Sequence, residues 1–227
     1  MDELAGVMNL FNIQTPAFSV LGYPISWLEL VGTVLNLWSV WLMTRNRILT
    51  WPIGILGVVI SLILFYQSRL YADFFEQIYY IATGFWGWWL WNKSGAPNQG
   101  IIVRNTLRQN ILTVALIAVF SILAGWATSN LHLWSPRFFP EAASFAYLDA
   151  TTTIMSFGAQ ILMAYRRLEC WLIWIAVDII GVWLYWQKEL FFYSAQYAVF
   201  LALAVSGLIM WHRQMRALEN SQPVEEV

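Results

Sequence analysis

The sequence predicts an all-α membrane protein of seven transmembrane helices, built as a parallel 3+1+3 repeat of three-helix bundles. Three observations carry this. Of 227 residues, 59% are hydrophobic and 11% charged, whereas ordinary soluble domains are roughly a quarter charged. Lipid must therefore solvate much of the surface. Seven apolar runs approach the length that crosses a bilayer. Finally, the sequence displaced by 120 residues meets itself. A net charge of −1 without a basic patch gives nucleic acid nothing to bind. A single cysteine, Cys170, excludes an internal disulfide framework.

Residues 1–26 form an external segment without Lys or Arg. It lacks the basic start of a signal peptide, so the first span is expected to direct insertion. Pro16, Gly22 and Pro24 break it, and residues 4–11 suggest either an interfacial helix or a disordered leader. The first three-helix repeat covers 27–91, with spans at 27–43, 51–66 and about 74–91. Residues 92–144 are a linker with Gly95, Pro97 and Gly100, followed by the fourth span at 111–128. The second repeat covers 145–211, with spans at about 145–165, 171–186 and 191–211. A cytoplasmic tail, 212–227, ends the chain. Alternate loops hold nine Lys or Arg on one side and three on the other. The excess marks the cytoplasm, so the N-terminus is expected outside and the C-terminus inside.

Thirteen identities fall in the 50 positions 42–91 against 162–211, without a gap. They include Arg47 with Arg167, Trp51 with Trp171, Gln67 with Gln187, Gly87 with Gly207 and Trp91 with Trp211. One span separates the units, so both have the same orientation. Such parallel repeats hold substrate at their interface near mid-membrane.

Polar groups inside hydrocarbon are costly and face the bundle interior. Asp178, in mid-span, has no acidic mate because Val58 stands 120 residues earlier. It suits either a cationic substrate or a structural lock between helices. Gln77 and Gln196 occupy nearly equivalent places beside tyrosines. Their amides suit a carboxamide or sugar hydroxyls, or else tie helices together. Of fifteen tryptophans, Trp27, Trp51, Trp91, Trp134 and Trp211 stand at span ends and read as interfacial belts. Trp171 reads as either belt or binding group. Trp174 is one turn deeper on the same face, where two indoles form a slot for a flat cationic ring.

The string Tyr71 to Tyr80 (YADFFEQIYY) followed by Gly87-Trp88 resembles the third span of the PnuC family of nicotinamide riboside transporters. So do Glu29-x-x-Gly32-x-x-x-Asn36, Leu162-Met163, and Glu169 to Asp178 (ECWLIWIAVD). The resemblance spans about 27–211. It implies a SWEET-like fold with substrate between the repeats, in the bacterial inner membrane. It also implies uptake of nicotinamide riboside by facilitated diffusion, with trapping by a cytoplasmic riboside kinase. The family's W-x-x-W motif matches Trp171 and Trp174, and its glutamines match Gln77 and Gln196. Tyr80, Asn36 and Tyr197 are carried over on the same ground. Glu76 departs from the pattern, standing where an apolar residue is expected.

The riboside's ring, carboxamide and ribose suit the indoles and amides, with Asp178 balancing the charge. No cofactor or metal is expected, and a homo-oligomer is left open. His132 and His212 are at membrane edges, so no proton relay is expected. No Lys or Arg is in mid-span to meet a phosphate, so the riboside is expected to bind and the mononucleotide not. A SWEET-type sugar uniporter is the alternative. Retinal proteins need a lysine in the last span, and Lys93 and Lys188 are in loops. No H-E-x-x-H motif or buried Ser with a placed His argues for an enzyme.

Overall fold

The computed structural model describes residues 15–20, 23–68, 71–96, 98, 100–137, 142, 145–187, 189 and 191–221. Residues 4–11 lie outside them. An antiparallel hairpin of β1 (Pro16–Val20) and β2 (Tyr23–Ser26) comes first, a local exception to the all-α expectation. Seven helices follow: α1 (Trp27–Thr44), α2 (Thr50–Gln67), α3 (Tyr71–Lys93), α4 (Leu107–Trp134), α5 (Ala146–Ala164), α6 (Cys170–Gln187) and α7 (Phe191–Ser221). They match the seven expected spans, with α7 continuing ten residues past 211.

Local chemistry fixes two starts. Ser26 Oγ accepts from the Glu29 backbone N–H at 3.2 Å, and Glu29 Oε2 accepts from the Ser26 N–H at 2.8 Å. This capping box satisfies two orphan donors of α1. Thr106 and Gln109 cap α4 in the same way.

α2, α4, α6 and α7 are long and apolar enough to cross a membrane. α1, α3 and α5 are less apolar because they carry Glu29 and Asn36, Asp73, Glu76 and Gln77, and Asp149 and Gln160 respectively. The packing accommodates these polar groups. α1 contacts α2 and α7, α3 contacts α2 and α5, and α6 contacts α5 and α7, closing a circuit of six helices. α4 stands outside it against α5. It exposes Leu107, Ile111, Val114, Val119, Ile122 and Leu133 on all sides while burying only Ser121 and Gly125, as a lipid-solvated helix does.

Positions 120 apart make matching contacts. Trp51 stands edge-on to Trp91 (centroids 5.5 Å, 86°) and Trp171 edge-on to Trp211 (5.4 Å, 89°). A Cβ on Gly87 would collide with the Trp51 ring, and one on Gly207 with the Trp171 ring. Glycine at these two sites lets an indole lie flat on a neighbouring helix backbone. Trp91 Nε1 donates to the Ala164 carbonyl and Trp211 Nε1 to the Met43 carbonyl, both at 3.0 Å. Each bond joins the last helix of one half to the end of the first helix of the other. Trp51, Trp91 and Trp211 are therefore buried at 3%, 0% and 0% exposure. That corrects their reading as belts: they stand at span ends but point inward. Trp27 and Trp134 are exposed, as belt residues are.

All of this is at the arginine-rich end of the bundle. The linker before α4 completes it. Asn46 and Arg166, 120 positions apart, share a left-handed backbone (φ 54° and 52°). Arg166 Nε donates to Asn46 Oδ1 at 2.9 Å, and Asn46 Nδ2 donates to the Gly100 carbonyl at 2.8 Å. The Arg166 guanidinium also reaches Ser94 Oγ and the Ala96 carbonyl, and lies 3.8 Å over the Trp91 ring. Val103 donates to the Arg166 carbonyl and accepts from the Leu168 N–H. Residues 94–105 are thereby strapped across both halves.

Candidate functional site

Away from that sealed end, the interior of the circuit holds aromatic and acidic side chains. Their depth follows from a rise of 1.5 Å per residue. Measured from the end opposite the arginines, Glu76 on α3 and Tyr197 on α7 lie about 8 and 9 Å along their helices. Tyr80 on α3 and Asp178 on α6 lie at about 14 Å, and Trp174 at about 20 Å.

Tyr197 lies flat on α6, where a Cβ on Gly181 would strike its ring. It stacks on Tyr185 (5.2 Å, 24°), which stacks in turn on Tyr193 (5.7 Å, 30°). Tyr193 Oη donates to Glu29 Oε1 at 3.2 Å, tying α7 to α1. Tyr197 interacts electrostatically with both Glu76 and Asp178. Tyr80 donates to Glu76 Oε1 at 3.4 Å and lies beside Ser156 of α5 and Tyr197 of α7. Neighbouring Tyr79 stacks on Phe157 (3.9 Å, 30°) and donates to its carbonyl, packing α3 on α5.

Asp178 is 4% exposed, and among the described residues none hydrogen-bonds its carboxylate. The structure therefore gives no support to its being a hydrogen-bonded lock between helices. Trp174 is half-buried, but its Nε1 is fully buried and has no partner among the described residues. The two stand four residues apart on one face of α6. The Trp51 and Trp171 N–H groups in the packed cluster are unpaired among the described residues as well. Buried polar groups are ordinarily paired, so it is the unpaired Asp178 carboxylate, one turn from the Trp174 ring, that marks a place for a ligand.

The other expected site residues fall into different settings. Trp171 is 1% exposed and packed into the tryptophan cluster of the arginine-rich end. Gln77 is 8% exposed, and its Nε2 turns back to the Asp73 carbonyl at 3.2 Å. Gln196 is half-buried and makes no hydrogen bond among the described residues. Asn36 lies against Gly57 of α2, with Nδ2 3.5 Å from Ser61 Oγ. The geometry thus brings together Tyr80, Tyr197, Asp178 and Trp174, and seats Asn36 between α1 and α2.

The sequence profile described as nicotinamide mononucleotide transporter matches residues 26–213. The chain belongs to this family. Among curated members, the nicotinamide riboside transporter PnuC of Escherichia coli strain K12 is 26% identical, over 92% of this chain and 96% of its own length. PnuC of Neisseria mucosa is 27% identical over 94% and 82%. The riboflavin/roseoflavin transporter RibM of Streptomyces davaonensis is also 27% identical, over 96% and 98%. The crystal structure of the vitamin B3 transporter PnuC superposes with a TM-score of 0.66 at 24% identity, covering 95% of this chain and 88% of that one, which shows a common fold.

As a member of this family the chain is a multi-pass membrane transport protein, and its named relatives are transporters rather than enzymes. Against that background, sequence reasoning missed Glu76, Tyr185 and Ser156. Two signals were present. Glu76 stands 120 positions before Gln196, so the two are equivalent places on the third helix of each half. Ser156 likewise answers Asn36.

Proposed function

We propose that this chain carries nicotinamide riboside into a bacterial cell through the interface between its two three-helix halves. It does so by facilitated diffusion, and a cytoplasmic kinase traps the product. The observation that carries this reading is the Trp174–Asp178 pair. An indole with a buried unpaired N–H stands one helical turn from a buried unpaired carboxylate. A cationic ring offers the first a stacking partner and the second a counter-charge, worth roughly 0.5–2 kcal/mol for the cation–π contact alone. The full-length similarity to proteins named nicotinamide riboside transporters supports the same substrate.

The halves are related by an axis along the membrane normal, and the arginine-rich end faces the cytoplasm of the inner membrane. In this reading the linked arginine-rich end is the inner one, and the riboside enters from the opposite, outer end. Trp174 contacts the ring, and Trp171 backs it from the packed cluster. Gln77 Oε1, the Gln196 amide and the hydroxyls of Tyr80 and Tyr197 serve the carboxamide and ribose, and Asn36 supports them from α1. Among the described residues, the buried guanidinium of Arg166 is tied to Asn46 beyond the column, so the mononucleotide's phosphate finds no described cation at the depth of Trp174.

Tryptophan quenching titrations of purified protein with nicotinamide riboside, nicotinamide mononucleotide, riboflavin and glucose test this. The riboside alone is expected to saturate. Tight binding of the mononucleotide, or of glucose, would overturn the assignment. Riboflavin is the rival that the similarity to RibM raises. It too is flat, but it is neutral and leaves Asp178 unmatched.

A further inference from the structure

The residue that departs from the family's pattern, Glu76, is on the interior of the bundle. It accepts from Tyr80. Tyr197 lies on α6 against Gly181, one turn from Asp178, and is electrostatically coupled to both Glu76 and Asp178. Asp178 is buried and unpaired among the described residues. Glu76 lies about 8 Å and Asp178 about 14 Å along their helices from the end opposite the arginines.

A half-buried and a buried carboxylate on the bundle interior impose a cost that protonation or a cationic solute relieves. The Tyr197 ring one turn from Asp178 supplies a π-face, which attracts a cation more than a neutral ring. From this juxtaposition we infer that Glu76 is a specificity-determining residue. Together with Asp178, it favours a permanently cationic aromatic ring over neutral rings of similar shape. The inference rests on the riboside reading above and adds what enforces it: charge selection by an acid in α3, in addition to shape selection by the indole. In the second half the equivalent position is Gln196, so this chain charges one of two matched places.

The test uses nicotinamide riboside and its reduced, uncharged dihydro form, which differs by one hydride at the ring and keeps its size, the carboxamide and the ribose. Both are titrated into the full chain and into Glu76→Gln, Glu76→Asp and Asp178→Asn. The wild type is expected to prefer the cation at least tenfold. Glu76→Gln should lose at least tenfold in affinity for the cation while keeping the neutral form within about twofold. Glu76→Asp, with its charge retained, should restore the preference, so a structural defect in the first variant is recognised. Equal losses for both ligands in Glu76→Gln, or an unchanged preference, would overturn the inference and leave the riboside reading standing. A wild type that ignores both ligands and binds riboflavin instead would overturn both.

Discussion

Trp171 and Trp174 share one face of α6, one turn apart, yet their surroundings divide their roles. The first is fully enclosed, flat on Gly207 and edge-on to Trp211. The second is half-buried, packed against the edge of the same cluster; neither indole N–H has a described acceptor, so exposure alone separates them. Removing a large buried ring leaves a cavity that costs about 3–5 kcal/mol. Trp171→Ala should therefore lower the melting temperature strongly. Trp174→Ala should weaken riboside binding at least tenfold, about 1.4 kcal/mol, with the smaller loss of stability. Paired thermal melts and titrations separate the two, and matching losses of stability would reduce both indoles to packing. Gly207→Ala gives a control that touches no ligand. Its new methyl would strike the Trp171 ring, and overpacking of this kind costs about 1–3 kcal/mol, visible as a lower melting temperature.

The two halves exchange contacts at the arginine-rich end, and the Asn46–Arg166 bond joins them there. Both residues take a left-handed backbone that L side chains rarely adopt, so surrounding bonds must hold them. Arg166 spends its donors on Asn46, Ser94 and Ala96 and stacks on Trp91. Hydrogen bonds to charged groups are worth about 1.5–3 kcal/mol. A double-mutant cycle of Asn46→Ala and Arg166→Ala, read by thermal melts, should show coupling of that size, and additive losses would contradict the bond. Burial pushes the Arg166 guanidinium down from 12.5 to about 10. A base whose folded value is lowered sheds its proton first in the folded state, so its contribution to stability rises with pH only between about 10 and 12.5. Below that window both states are protonated, and the coupling should be the same at pH 6 and pH 9.

Across the whole molecule, the features legible from sequence were those carried by long-range pattern. Hydropathy and charge bias delineated seven helices, including α1, α3 and α5 despite interior polar groups that dilute their apolarity, and the 120-residue register paired the two halves. Direction around a helix was not legible. Trp51, Trp91 and Trp211 stand at span ends, and hydropathy does not distinguish an indole pointing to headgroups from one pointing to a neighbouring glycine. The signal that would have separated them was the pairing of Gly87 and Gly207 with those indoles in both halves. Asp178 was legible because a lone mid-span acid is costly, whereas Glu76 was visible only as a departure from the family's pattern, with no role attached to it. The proposed facilitated diffusion is judged against the same inventory. Among the described residues the acids within the spanning stretches end at Asp178, and the buried polar groups beyond Trp174 are Thr44, Asn46, Thr50 and Arg166. A proton or sodium path needs acids or carbonyls continuing through the membrane. Uptake of radiolabelled riboside into proteoliposomes should therefore equilibrate with the outside concentration, at a rate unchanged by a pH or sodium gradient. It should exceed that concentration only when riboside kinase and ATP are enclosed. Accumulation driven by either gradient without the kinase would require a coupling ion and would refute facilitated diffusion.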